Sequence, residues 1–316
     1  MSAPVFRVVK PGLLSTLQDL GRAGYQRFGV SPCGAMDVFA LRLANRLVGN
    51  PEGSVSLEMT LPGTELLAMR DCEVALTGAD LNACLDSKPI ESWENFSIKA
   101  GQRLSLSQRK RGARAYLSVA GGFAAEHVLG SGATDLRNGW GGLQGRCLQR
   151  DDVLYVLDAT RSSSRFLLRV RPEVLAEYRN PFLLRVLEGP QSDLFPDATR
   201  RQFLAAEFRV GAKSNRMGYR MEGPRLCGPG GDMISDATPQ GAIQVVPSGE
   251  ALLLMADRQT VGGYPKIAVL ISADLPKAAQ LCSGHRVRFH AVSLEQAHQA
   301  LVRQNECLRM DLLARS

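Results

Sequence analysis

The stretch MADRQTVGGYPKI, residues 255–267, decides how this chain is read. Ahead of it, residues 251–255 (ALLLM) form an unbroken apolar run, the pattern of a strand buried on both faces. Behind it, residues 267–271 (IAVLI) form a second such run. Between the two, the chain turns polar at once: Asp257, Arg258, Gln259 and Thr260, then Gly262, Gly263, Tyr264 and Lys266. A polar loop held between two core strands is a place where a rigid scaffold displays chemistry. The paired glycines offer a positive φ, or room for a ligand to approach the backbone. The plainer reading is a tight loop whose Asp257 and Arg258 pair with each other.

Bulk properties narrow the class. The 316 residues suffice for two ordinary domains or one large one. A chain that is 45% hydrophobic and 22% charged is globular, and 31 glycines suit a turn-rich, mostly β protein. The net charge of +7 is spread along the chain. The tight basic run Arg109-Lys110-Arg111 has no interleaved aromatics, so it reads as a solvated hairpin tip and no nucleic-acid partner is expected. Seven cysteines, an odd number without CxxC spacing, indicate free thiols in a reducing compartment. No apolar run approaches transmembrane length and the first residues lack a signal core, so the expected location is the cytoplasm, off the membrane.

Taken in order, residues 5–9 predict a strand ended by Pro11-Gly12, followed by a long polar, Gly-rich loop over 16–37. Asp37 is placed to cap a helix with apolar positions at Ala40, Leu43, Ala44 and Leu47, stopped by Gly49-Asn50-Pro51. Short strands are predicted over 73–77, 97–98, 103–106, 115–120 and 153–157, at barrel- or sandwich-like spacing. A second Gly-rich stretch, 130–146, reads as an irregular connection, with Asp135, Arg137 and Asn138 available to line a cleft. Residues 161–165 (RSSSR) form the linker candidate, which gives domains 1–165 and 166–316. Beyond it come a strand over 183–187, a short helix over 199–206 and a C-terminal helix from Leu294, capped by Ser293 and Gln296.

GRAGYQRFGVSPCG (21–34) and NRMGYRMEGPRLCG (215–228) repeat one another. At one constant offset, the pairs Arg22/Arg216, Gly24/Gly218, Tyr25/Tyr219, Gly29/Gly223, Cys33/Cys227 and Gly34/Gly228 are identical. A repeat this far apart implies a duplicated domain rather than a solenoid. The Arg-x-Gly-Tyr element either pins its long loop to its own barrel or serves a site, and Arg22, Tyr25 and Asp37 form a possible second site. The first half has RKRGARAY (109–116) where the second has DRQTVGGYPK, so the second is the better candidate to bind a small polar ligand.

Several chemistries lack their signatures. The chain has no GxxxxGK[ST] loop, no GxGxxG after a first strand and no GxSxG elbow. Four histidines show no ligand spacing with the cysteines, so no metal site is expected. Without an Ala-Met-Lys-Met segment, no covalent biotin is expected on this chain.

QDLGRAGYQ (18–26), GAMD (34–37), LVGNP (47–51), SNRMGYRMEGP (214–224), GAIQV (241–245) and ADRQTVGGYPKIA (256–268) together resemble the biotin-dependent carboxyltransferase family. It is also called allophanate hydrolase subunit 2, and it includes the C component of bacterial 5-oxoprolinase and the antagonist of a sporulation-kinase inhibitor. The resemblance runs nearly end to end. It implies two tandem cyclophilin-like β-barrel domains, mainly β with a few helices, in agreement with the internal duplication. Cys33 stands where the family has Ser, and Val261 where it has a second Thr.

The resemblance implies an enzyme component, the C component of an ATP-dependent 5-oxoprolinase that opens 5-oxoproline to glutamate and is inactive alone. Its partners would be a sister subunit of related fold (the B type) together with a third subunit (the A type), and ATP would be bound here or by a partner. Two alternatives are carboxyl transfer from carboxybiotin to urea or another amide, and a regulatory role binding a kinase-inhibitor sister subunit. The expected site brings residues 257–266 and 215–220 into one cleft of the second barrel, with Asp257, Arg258 and Lys266 as catalytic candidates. Arg216 and Arg258 would bind a carboxylate or phosphoryl group through paired donors, and Lys266 would add a point charge. Gln259 and Asn215 would bond the substrate amide, Tyr219 and Tyr264 would cover its ring, and Thr260 lies among them. Asp257 is expected to orient an arginine.

Overall fold

The computed structural model describes residues 2–158, 167–178, 182–229, 233–310 and 312–314. The expected linker at 161–165 lies outside the described residues. Two compact units divide the chain: Met1–Arg22, Cys33–Leu175 and Met310–Ser316 form the first, and Ala23–Pro32 with Ala176–Arg309 the second. The fold is mainly β with few helices, as expected.

The first unit carries β1 (Ala3–Pro11), β2 (Leu14–Gln18), α1 (Val38–Leu47), β3 (Ser56–Thr60), β4 (Thr64–Ala68), β5 (Cys72–Asp80), β6 (Ala83–Leu85) and β7 (Lys88–Pro89). It continues with β8 (Glu94–Ile98), β9 (Arg103–Leu106), β10 (Arg111–Val119), β11 (Val153–Val156) and β12 (Leu168–Val170). One sheet runs β11-β1-β4-β9-β6-β7. The other runs β2-β3-β10-β5-β8-β12, with Leu312–Ala314 at its edge. Both sheets line one core: Phe6, Leu66 and Leu104 from the first meet Leu57, Leu76 and Leu117 from the second. Helix α1 lies on β5 and β10, where Thr77 Oγ1 donates to the Ala40 carbonyl at 2.8 Å. Its start is the predicted one: Asp37 Oδ1 accepts from the Ala40 N–H at 2.9 Å. The run Arg109-Lys110-Arg111 is exposed as expected but is no hairpin tip, because β9 and β10 belong to different sheets.

After α2 (Pro172–Tyr178), the second unit carries β13 (Leu183–Glu188), α3 (Asp197–Ala205), β14 (Glu207–Val210), β15 (Gly218–Glu222), β16 (Asp236–Ala237) and β17 (Ala242–Val245). Then come β18 (Ala251–Leu254), β19 (Val261–Gly262), β20 (Lys266–Leu270), α4 (Leu275–Ala279), β21 (Arg286–Ala291) and α5 (Leu294–Met310). Seven strands close a barrel in the order β13-β20-β17-β18-β15-β14-β21, and the parallel pair β13/β21 completes the circle. The two apolar runs that frame the polar stretch are β18 and β20, nearly all buried. Alternation fills the interior: on β15 Tyr219 and Met221 are buried, whereas Arg220 and Glu222 are exposed. Phe203 of α3 stacks on Phe289 of β21 at 4.9 Å and meets Phe208 of β14 at 5.8 Å, which holds the helix to the barrel. The predicted capping box opens α5: the Ser293 N–H donates to Gln296 Oε1 at 2.9 Å, and the Gln296 N–H to Ser293 Oγ at 3.2 Å.

The two sequence repeats adopt different backbones. Tyr25 caps a 3-10 turn, Gln26–Phe28, whereas Tyr219 lies within strand β15. Only the arginines share a setting, both buried.

An ion cluster ties β13 to the segment around α4. Asp274 is fully buried and accepts from the Arg185 backbone N–H at 2.7 Å and from its guanidinium at 2.7 and 3.1 Å. Lys277 Nζ lies 3.1 Å from the same carboxylate. Burial alone pushes this carboxyl up, but the bonds from Arg185 and the charge of Lys277 outweigh it and hold the pKa below the usual value. Asp274→Ala is therefore expected to lower unfolding free energy by about 3–5 kcal/mol at pH 7, since it leaves two cations without their carboxylate. A folded pKa below the unfolded one means the contribution is full above pH ~4 and is lost as pH falls through the folded value. Urea denaturation of both proteins at descending pH checks this, and a wild-type advantage that persists unchanged in acid contradicts it.

Candidate functional site

The polar stretch is shaped where β15 and β18 run past their ends. Gly218 pairs with Leu254, and the ladder continues with Met255 N–H to Met217 O and Asp257 N–H to Arg216 O, both 2.9 Å. Register therefore sets Arg216 beside Asp257. Arg216 Nε and Nη2 donate to Asp257 Oδ2 and Oδ1, each at 2.8 Å, a two-point fork. Asp257 does orient an arginine, but it is Arg216 rather than its neighbour Arg258.

Arg258 turns the other way and is only 6% exposed. Its Nε donates to Thr238 O at 2.7 Å, its Nη1 to Met255 O at 3.4 Å and its Nη2 to Gln26 Oε1 at 3.4 Å. Thr238 follows a two-stranded ribbon in which Asp236 pairs with Gly262 and Ala237 with Val261. The ribbon is extended by Thr238 N–H to Thr260 O at 3.1 Å and by Thr238 Oγ1 to Gln259 O.

Carboxamides and an ammonium complete the cluster. Gln244 on β17 is fully buried; its Nε2 donates to Tyr264 O at 3.2 Å, and its Oε1 accepts from Gln259 Nε2 at 3.4 Å. Neither Gly262 nor Gly263 has a positive φ, so the first reason for the glycine pair does not hold. At Gly262 it is protein side chains that come close: a Cβ would sit 2.9 Å from Gln244 Nε2 and 3.2 Å from Thr238 Cγ2. Lys266 opens β20 fully buried, with Nζ 3.0 Å from Asp236 Oδ2. Lys266, the Ala237 N–H and Gln191 hold the Asp236 carboxyl below the usual range. The Asp236 side chain is 49% exposed, so the buried ammonium is neutralised by a group that also faces solvent.

The remaining expected residues fall in varied places. Thr260 is buried and Tyr264 is 42% exposed. Asn215 is exposed, and its Oδ1 accepts from the Met217 N–H at 2.8 Å. Tyr219 is buried within the barrel strand. Arg22 is 1% exposed, with Nε donating to Val128 O at 3.2 Å and Nη2 to Ala133 O, which ties the long loop to the Gly-rich stretch. Asp37 caps α1 and its N–H donates to the Tyr116 hydroxyl at 2.8 Å. Arg22 and Asp37 belong to the first unit and Tyr25 to the second. Asp135, offered as a cleft residue, accepts from the Arg137 and Asn138 N–H groups and so organises its own turn.

Residue reading missed Gln26, Gln191, Asp236, Thr238 and Gln244. Two of these end or fill quoted motifs, QDLGRAGYQ and GAIQV, but no spacing rule ties either to residue 258. Among the described residues no group of three or more His, Cys, Asp or Glu side chains is arranged to hold a metal, and no helix is long and apolar enough to cross a membrane.

A family profile described as carboxyltransferase domain, subdomain A and B, matches residues 28–291. The 5-oxoprolinase C subunit of Haemophilus influenzae is 40% identical over 293 residues, covering 92% of each chain. That of Escherichia coli is 37% identical and covers 94% of each. Among solved structures, the urea amidolyase of K. lactis superposes with a TM-score of 0.89 at 30% identity, over 98% of this chain but 20% of that one. The chain belongs to the carboxyltransferase domain A and B family.

Proposed function

We propose that the chain is the C component of an ATP-dependent 5-oxoprolinase, which opens 5-oxoproline to glutamate together with partners of the B and A types. The observation that carries this reading is agreement over 92% and 94% of the chain with two relatives bearing that name. The cluster around residue 258 supports it chemically. 5-Oxoproline presents one carboxylate and one lactam. Lys266 binds the carboxylate, which takes the place of half-exposed Asp236. Arg258 bears on the negative charge that develops at the lactam oxygen, where a buried guanidinium acts at low dielectric. Gln259 and Gln244 supply a donor and an acceptor to the lactam, and exposed Tyr264 covers the ring. Arg216, already held by Asp257, serves as a brace rather than a ligand. ATP is bound by this chain or by a partner.

A second reading draws on the urea amidolyase of Lachancea kluyveri, which is 32% identical over 93% of this chain and 17% of its own length. There the same donors would serve an amide and a carboxyl group in transit.

The test is reconstitution. The isolated chain is expected to release no glutamate, and the complex of all three components is expected to release it from 5-oxoproline with ATP hydrolysis. Full turnover by the isolated chain overturns the partner requirement. Within the complex, Arg258→Lys is expected to lower kcat/KM about 10–100-fold, the worth of a charge-assisted contact of ~1.5–3 kcal/mol. Lys266→Met is expected to act mainly on KM, because carboxylate binding is shared by ground and transition states. It should leave the melting temperature unchanged or raised, since an apolar isostere suits the buried position and Asp236 stays solvated. Wild-type kinetics in both variants would remove these residues from the site.

A further inference from the structure

One part of the second unit comes from far away in the sequence. Residues Ala23–Pro32 belong to it, although the chain up to Arg22 and from Cys33 onward belongs to the first unit. This strap is shaped by Gly24 and Gly29, with φ of +93° and +83°, on either side of the turn Gln26–Phe28. Arg27 and Phe28 are exposed, and the guanidinium of Arg27 lies over the Phe28 ring at 4.7 Å. Gln26, beside them in the same turn, points inward.

Both ends of the Gln26 carboxamide are used. Its Nε2 donates to Thr238 O and to Thr260 O, each at 3.3 Å, and its Oε1 accepts from Arg258 Nη2 at 3.4 Å. Thr238 O also accepts from Arg258 Nε at 2.7 Å. Gln26, Arg258 and Thr238 therefore close a ring that fixes the plane of the guanidinium against the ribbon. Only a carboxamide meets this requirement, because it has donors at one end and an acceptor at the other. Glutamate would set a carboxylate against two carbonyl oxygens, and asparagine is one methylene short.

We propose that Gln26 is a positioning residue for Arg258: the strap holds the guanidinium in the orientation that the substrate meets. The inference rests on the reading of Arg258 as a site residue. It makes the second unit's site depend on a segment contributed by the N-terminal part of the chain. Nothing in the contact requires Gln26 to touch substrate, so its removal should affect the fit of Arg258 to the transition state rather than substrate capture.

The test uses the full chain within the reconstituted complex. Gln26→Ala and the similarly sized Gln26→Met are both expected to lower kcat about tenfold with little change in KM, a loss equivalent to one hydrogen bond. Met fills the space, so an equal loss in both assigns the effect to the carboxamide; wild-type activity in Gln26→Met overturns it. Combined with Arg258→Lys, Gln26→Ala should add less than about twofold, because both act through one group. Losses that simply multiply overturn the proposal. Hydrogen exchange at Arg258 Nε–H, followed by NMR in the isolated chain labelled with 15N-arginine and assigned with Arg258→Lys, does not depend on activity. It is expected to be slow in the wild type and faster in Gln26→Met; equal exchange in the two overturns the proposal. If the wild-type complex leaves 5-oxoproline intact, the proposed reaction fails, and the exchange measurement still decides the role of Gln26.

Discussion

The site depends on the two-point ion pair between Arg216 and Asp257. Both side chains are largely enclosed, and the two residues are joined a second time through the backbone, by Asp257 N–H to Arg216 O. A fork of this kind tolerates little rotation. While Asp257 holds Arg216, the backbone turns back, with Arg258 N–H donating to Met255 O at 3.3 Å, and the Arg258 side chain reaches Thr238 and the ribbon. The ribbon in turn brings Asp236 to Lys266 at the start of β20. Loss of either partner of the pair would leave a charge enclosed without its counterpart, and the polar stretch would lose its shape before any chemistry was touched.

Two carboxylates in the same unit differ in how they meet solvent. Asp274 has no solvent exposure and is saturated by Arg185 and Lys277, so a ligand has no way to replace it. Asp236 holds Lys266 from a half-exposed position on a ribbon of two-residue strands. In the proposed reaction, a substrate carboxylate that replaced Asp236 would keep the ammonium neutralised. The buried lysine is thus neutralised by a carboxylate that itself faces solvent.

Local features were legible in the sequence and distant ones were not. The strands on either side of residues 255–267, the Asp37 cap and the Ser293–Gln296 box follow from patterns a few residues long, and each is present. The partner of Asp257 was not legible: sequence adjacency favours Arg258, whereas strand register delivers Arg216, 41 residues away. Gln26 meets Arg258 across 232 residues, a contact that only the folded chain creates. The repeated Arg-x-Gly-Tyr motif reads in sequence as one structural element used twice. It splits because β15 draws its copy into a barrel, whereas Gly24 and Gly29 turn the other into a strap.

The central claim is that the ribbon and the polar stretch receive the substrate. Amide hydrogen exchange of the reconstituted complex, with and without 5-oxoproline, addresses it directly. Slower exchange on adding 5-oxoproline is expected over residues 236–238 and 257–266, with the first unit unchanged. Protection confined to the Gly-rich stretch 130–146, or no change in either ribbon strand, contradicts it.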